Sequence, residues 1–209
     1  MHTRVVPSNS HDGSKALVLF FEAESVFCSF YPSKFKINVN EENPEDGKKV
    51  VEFNCTEQYF MYKKALLVGD QESANRILLA TDPSEMKFIG RQLHMSKEQL
   101  NVWSRESRLV MYRACLEKFA QNDEMRLLLF RTHGMTLVEA SPTDKIWGIG
   151  LVKTDKRAEQ VETWQGTNWL GEALDGVREE LWVRTEFKCD RNRVLAEPLA
   201  KRAQHLETH

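Results

Sequence analysis

Asn54-Cys55-Thr56-Glu57-Gln58-Tyr59-Phe60-Met61-Tyr62-Lys63-Lys64-Ala65 is the stretch on which the reading of this chain turns, because it sets an acid and an amine on one face of an aromatic-rich helix. Asn54 or Thr56 can accept hydrogen bonds from the free N–H groups of a first helical turn, and Glu57 suits the positive end of the helix dipole. Gly69-Asp70 supplies a stop. At 3.6 residues per turn, Glu57, Phe60, Lys64 and Leu67 fall along one stripe that mixes charge with apolar surface. Two readings fit that stripe. In one, Glu57 and Lys64 edge an amphipathic face and snorkel to water. In the other, they share a partly apolar pocket where desolvation favours a neutral, nucleophilic amine.

Working outward, the pattern stays helical toward the C-terminus. Asp82-Pro83-Ser84-Glu85 combines an acid at the cap, proline at the first helical position and a glutamate behind it. Ser96-Lys97-Glu98-Gln99 repeats the capping logic ahead of a long helix that is expected to bend near Ser104 to Ser107. Asp123 to Thr132 reads as a further helix closed by Gly134, and Asn168 as the cap of a last one carrying Leu170, Leu174, Val177 and Leu181. Strand signals are few: Leu17 to Phe21, Val50 to Phe53, and Thr136 to Ala140. Phe27 to Phe35 reads as an irregular, partly buried loop, and Asn40 to Lys49 as a solvent-facing turn between short strands. About six helices with sparse β structure give a mainly α fold with small β elements, an α+β class in one compact domain. That domain is read over residues 15–182, between a flexible arm at residues 1–14 and a basic tail at residues 183–209 without periodicity.

The 209 residues carry 29 % charged side chains and a formal net charge of only −2, so there is no global attraction to nucleic acid. No apolar run approaches the roughly 20 residues that span a bilayer, and no signal-peptide segment is visible, which makes the expected location intracellular and cytoplasmic, without a membrane partner. Cys28, Cys55, Cys115 and Cys189 are widely spaced, and the histidines are scattered, so neither a metal nor a redox pair is expected. The chain also lacks a glycine-rich phosphate loop.

Two further clusters carry chemistry. Leu137-Val138-Glu139-Ala140-Ser141-Pro142-Thr143-Asp144-Lys145-Ile146-Trp147-Gly148-Ile149-Gly150 puts tight turns, an acid and an indole together; Asp144 and Trp147 serve either a structural turn or a site. Trp164-Gln165-Gly166-Thr167-Asn168-Trp169-Leu170-Gly171 crowds two indoles at a helix start. An N-glycosidic bond breaks through a ribosyl cation and needs a carboxylate near the sugar, a group that captures the anomeric carbon, and aromatic surface for the base. Glu57 and Asp144 can stabilise charge or move protons, Lys64 can attack, and Trp103 and Trp147 can stack. Arg91 and Arg105 are candidates for holding a phosphate.

Several of these runs in order, Thr56 to Ala65, Lys118-Phe119-Ala120-Gln121-Asn122, Leu137 to Pro142, Asp144 to Gly150, and Trp164-x-Gly-x-Asn168-x-Leu170-Gly171, resemble the NADAR superfamily, most closely its YbiA-type N-glycosidase branch, over residues 17–182. The resemblance implies a YbiA-like, mainly helical fold and hydrolysis of an N-glycosidic bond without metal or cofactor. It implies as substrates the ribosylaminopyrimidine phosphates of early riboflavin biosynthesis or, alternatively, ADP-ribosylated guanine in nucleic acid; a non-catalytic module binding NAD or ADP-ribose is a third possibility. It implies that Lys64 captures the ribose as an imine while Glu57, Asp144 and Trp147 line the pocket with Asn168. Where the family commonly has Ser-Asn-Phe-Tyr-Pro this chain has Cys28-Ser29-Phe30-Tyr31-Pro32, which makes Ser29 and Tyr31 candidate substrate contacts with a hydroxyl in place of an amide. Leu174-Asp175-Gly176 stands where Leu-Met is usual, at a position expected on the outer face. In the tail, Lys188, Arg191, Arg193, Lys201 and Arg202 are candidates for a nucleic-acid backbone.

Overall fold

The structure, a computed structural model, describes residues 2–7, 15–40, 45 and 47–208. It divides into two compact units, one made of residues 1–28 and 123–209, the other of residues 29–122.

In the second unit, β3 (Phe35–Asn38) and β4 (Val50–Phe53) pair antiparallel with Phe35 opposite Phe53. Here β1 and β2 are the strands that precede them in the chain. Four helices follow: α1 (Thr56–Val68), α2 (Gln71–Leu79), α3 (Pro83–Gln92) and α4 (Lys97–Gln121). The sequence boundaries hold, for chemical reasons. Gly69 takes φ 78°, and its N–H and that of Asp70 donate to the carbonyls of Leu66 and Ala65. Asp82 caps α3 by accepting from Ser84 N at 2.8 Å. The Ser96/Gln99 box closes reciprocally at 3.2 and 2.8 Å. The helix α4 runs without a break through Ser104 to Ser107.

The helix α1 packs against α2, α3, α4 and β4, and its residues Thr56 to Tyr62 and Ala65 are buried. A central helix of this kind is covered on every side, so it shows no clean amphipathic stripe. Its polar members are accommodated by hydrogen bonds: Gln58 accepts from Asn54 N at 2.7 Å and donates to Ile77 O at 3.0 Å. Phe53 is the aromatic hinge of this core, 5.1 Å from Tyr59 edge-on and 5.6 Å from Tyr62. Gln121 extends the hairpin edge, because its amide accepts from Lys36 N and donates to Lys36 O, both at 2.9 Å.

The first unit is built on a three-stranded sheet of order β1 (Thr3–Val6), β2 (Leu17–Phe20), β5 (Thr136–Glu139), with β1 antiparallel and β5 parallel to β2. All of β2 is buried, as a central strand covered on both faces must be, which is why it reads as an unbroken apolar run. The helices are α5 (Asp123–Arg131), α6 (Trp169–Val183), α7 (Lys188–Leu195) and α8 (Leu199–Thr208). Leu17, Leu19, Val138, Ala140, Ile149, Leu151 and Ala158 form one core cluster against which Trp164 packs. The helix α6 lies on β5 so closely that a Cβ on Gly171 would stand 2.1 Å from the Leu137 carbonyl oxygen.

The mainly α architecture with small β elements is therefore the one found, but both termini correct the sequence reading. Thr3 to Val6 form a strand where an arm was expected, because Arg4 pairs with Leu19 and Val5 with Val18 across β1 and β2; residues 8–14 lie outside those described. The tail is two helices rather than a solvated basic segment. Sparse apolar anchors, Val194 and Leu206, hide its periodicity, and ion pairs fix it: Asp190 on Arg126 at 2.7 Å and Glu197 on Arg131 at 2.9 Å. Two of its five basic candidates are spent on backbone, with Arg202 donating to His133 O at 3.1 Å and Arg191 to Trp182 O. Most of the acidic turn after Asn40 lies outside the described residues. Among the described residues, no helix is long and apolar enough to cross a membrane.

The Glu197 pair makes stability pH-dependent. Hydrogen bonding from Arg131, with smaller help from His205, outweighs desolvation and holds the Glu197 carboxyl at about 2 instead of 4.5. A depressed carboxyl contributes its stabilisation above 4.5 and loses it as pH falls through about 2. Glu197→Gln is expected to lower the melting temperature at pH 7 and to shrink its fall between those two pH values; melting curves across the range check both.

Candidate functional site

In the second unit, the start of α1 is organised by Ser29. Neither Asn54 nor Thr56 caps the helix; Cys55 occupies the cap with no side-chain bond. Instead the Ser29 carbonyl accepts from Glu57 N at 3.1 Å and from Thr56 Oγ1 at 3.0 Å, while Ser29 Oγ donates to Glu57 Oε2 at 3.2 Å. Ser29 thus holds the acid in place. Glu57 is only 4 % exposed, which rules out snorkelling to water for it. Ser29→Ala removes one bond to a charged group, a loss of about 1.5 kcal/mol. It is expected to lower the melting temperature by a few degrees, as a melt would show.

Two turns along, Lys64 is half-buried and its Nζ donates to Gly90 O at 2.8 Å. Gly90 permits this, because a Cβ there would lie 2.1 Å from Met61 Sδ; the bare backbone lets α3 approach α1 and bring its carbonyl to the lysine. Burial pushes the Lys64 amine below its ordinary value, the Arg91 guanidinium pushes it further, and the Glu57 carboxylate opposes both. Trp103 packs against Phe60 at 4.8 Å between ring centroids. Arg91 is exposed at the end of α3, and Tyr31 is half-buried. Arg105 is exposed and donates to Asn101 O of its own helix at 3.3 Å. This unit therefore gathers Ser29, Glu57, Lys64 and Arg91 around α1, with Trp103 against the same helix.

In the first unit, Asp144 shapes its loop. Its Oδ1 accepts from Ile146 N at 2.9 Å and Trp147 N at 2.8 Å, so this oxygen serves a turn, and Trp147 is set edge-on to Trp169 at 5.7 Å. Asn168 differs from its expected roles. It has φ 55°, makes no side-chain cap on α6, and its amide bridges β5 by donating to Leu137 O and accepting from Glu139 N, both at 2.9 Å. At 3 % exposure it is a structural clasp between a loop and a strand. Gly166 fits beneath that loop, where a Cβ would meet Gly148 O at 2.3 Å. Asp175 faces inward, accepting from Leu137 N and from Arg178, and desolvation raises its carboxyl, contrary to the outer-face expectation.

Two buried charged residues were not singled out in the sequence reading, Glu139 at the end of β5 (7 % exposed) and Lys118 on α4 (1 %). For Glu139 the signal was present, a charge inside an apolar run, whereas Lys118 follows Glu117 in a helical segment. Two of the thiols are poor nucleophiles: Cys55 is pushed up to about 11 and Cys115 to about 12 by burial. Among the described residues, no cluster of three or more His, Cys, Asp or Glu could hold a metal.

The model of the NADAR domain matches residues 19–182, most of the chain. The chain belongs to the NADAR domain family. It is 58 % identical over 210 residues to Protein irg-1 of Caenorhabditis elegans, covering 99 % of this chain and 98 % of that one. It is 33 % identical over 155 residues to an N-glycosidase of Acanthamoeba polyphaga mimivirus, with 74 % and 86 % covered. Its fold is similar to the NMR structure of the E. coli protein YbiA, with a TM-score of 0.60 at 24 % identity over 82 % of this chain and 88 % of that one. The NADAR match includes both groups of residues described above.

Proposed function

We propose that this NADAR protein is an N-glycosidase acting on a ribosylaminopyrimidine phosphate of the kind found early in riboflavin biosynthesis. The observation that carries the reading is the state of Lys64: an amine half out of water, held by one carbonyl, depressed by burial and by Arg91, on the same helix as a buried carboxylate. A neutral amine that donates one N–H still has its lone pair for attack.

In the proposed reaction the Lys64 nitrogen adds to the anomeric carbon of the ribose. The bond from that carbon to the base nitrogen breaks, its electron pair leaves with the base, and the base takes up a proton. The lysine nitrogen gives up two protons, one to the departing base and one to the ring oxygen as the bond from the anomeric carbon to that oxygen breaks, and the opened sugar remains on Lys64 as an imine. Water then adds to the imine carbon, and the carbon–nitrogen bond to lysine breaks, returning the amine and releasing ribose phosphate. Glu57 stabilises the positive charge that develops on the sugar, Arg91 receives the phosphate, and Trp103 offers surface to the base. In the other unit, Asp144 holds the turn that carries Trp147. Ser29 donates to the acid.

The alternative substrate, ADP-ribosylated guanine in nucleic acid, drew its local support from a free basic tail, and Arg191 and Arg202 of that tail are bound to backbone carbonyls. Incubation with each substrate, followed by mass spectrometry for free base and free sugar phosphate, tests the choice. Release from the ribosylaminopyrimidine phosphate alone is expected. Release only from the guanine adduct moves the enzyme to nucleic acid, and saturable binding without product makes it a non-catalytic module.

A further inference from the structure

Lys118 is the most thoroughly buried cation in the second unit, 1 % exposed in α4, the helix that packs along α1. Its ammonium lies 5.4 Å from the centre of the Tyr31 ring and 5.3 Å from that of Phe119. Aromatic faces stabilise a cation only in part, and a buried charge is otherwise costly unless a counter-charge accompanies it. Two observations indicate which one. The Cys55 thiol, at the cap of α1, is acted on by both the Glu57 carboxylate and the Lys118 ammonium, in opposite directions, so both charges are beside the first turn of that helix. Residues 29–31 join them: Ser29 donates to Glu57 Oε2 at 3.2 Å, and two residues on Tyr31 faces the ammonium.

We infer that Lys118 is a positioning residue for Glu57, the buried counter-charge that keeps its carboxylate ionised and aimed. The role rests on the glycosidase reading only in what the ionised acid is for; the pairing itself stands on the geometry. A ribosyl cation is stabilised by a carboxylate and not by a carboxylic acid, so a group that holds the acid charged in a desolvated place sets how far into acid the enzyme works. The other groups around Glu57 do not take this part. Lys64 on α1 is itself pushed toward neutrality, and Arg91 on α3 is exposed beside it. Cys115 on α4 stays a thiol. The charged residues of α2, Glu72 and Arg76, are exposed, and Glu52 on β4 is engaged with Lys34 and Lys36.

The test uses the full chain with Lys118→Met, Lys118→Arg, Glu57→Gln and the double variant Glu57→Gln/Lys118→Met. In thermal unfolding, Lys118→Met is expected to lose stability and the double variant to regain much of it, because neither charge is then buried alone. Losses that simply add would overturn the pairing. If Lys118→Met does not fold, a folded double variant supports the pairing, and an unfolded one beside a folded Glu57→Gln overturns it. In the release assay, the acid limb of kcat/KM is expected to move up by about one pH unit or more in Lys118→Met and to stay in place in Lys118→Arg. A folded Lys118→Met with an unmoved limb contradicts the role. Absence of turnover in the wild type would sink the glycosidase reading and leave the melting cycle to decide Lys118.

Discussion

Replacing Lys64 with alanine is expected to lower the rate of base release on the order of a thousandfold, about 4 kcal/mol of transition-state stabilisation, while the protein stays folded. The asymmetry follows from its surroundings. The amine gives up one hydrogen bond, to Gly90 O, worth about 1 kcal/mol. Against that, a lysine whose amine is depressed in the folded state binds fewer protons there than in the unfolded chain. It therefore lowers stability at neutral pH, and the cost eases as pH rises toward the ordinary 10.5. Removing it relieves that cost, so the melting temperature is expected to change by only a few degrees. Steady-state kinetics beside a melting curve check both halves. Full activity in Lys64→Ala would remove the nucleophile from the mechanism.

The second large effect is structural. Gly171→Ala is expected to destabilise the protein by about 3 kcal/mol, at the upper end for overpacking, because the new methyl meets backbone that cannot rotate away. Its Cβ would stand 2.1 Å from the Leu137 carbonyl oxygen and 2.5 Å from the Asn168 amide. The clash falls on the clasp that ties the loop before α6 to β5, so the loop carrying Asp144 and Trp147 is expected to loosen as well. Denaturant unfolding measures the first consequence, and the Trp147 and Trp169 fluorescence the second. A variant as stable as wild type would show that α6 can slide on β5 at little cost.

What the sequence could and could not reveal divides along physical lines. The helix ends were legible where a local residue makes them: Gly69 at positive φ, Asp82 ahead of Pro83, the Ser96/Gln99 box. So was β2, whose unbroken apolar run reflects burial on both faces. The start of α1 was misread because its cap comes from Ser29, 27 residues away in sequence from Thr56, and no local pattern records a carbonyl supplied by a distant loop. The C-terminal helices escaped notice because two apolar anchors and a set of ion pairs hold them, and charge alone does not announce periodicity.

The candidate site shows the same division. The spacing of Glu57 and Lys64 predicts a shared face, and the structure adds the burial that turns an amphipathic edge into a desolvated acid beside a depressed amine. Asn168 was correctly singled out as unusual, yet its work is to bridge Leu137 and Glu139, something visible only once strand and loop are side by side. Lys118 was hidden in a run that otherwise reads as helix core. Its neighbours explain the rest of that run: Phe119 is fully buried, and the Gln121 and Asn122 amides hold backbone of β3 and of Lys34 before it.

The most direct measurement is reductive trapping. The protein is turned over on a ribosylaminopyrimidine phosphate in the presence of cyanoborohydride, digested, and the peptides are weighed by mass spectrometry. The account predicts a ribose phosphate adduct on Lys64, accompanied by loss of activity. Complete turnover with Lys64 unmodified would contradict it.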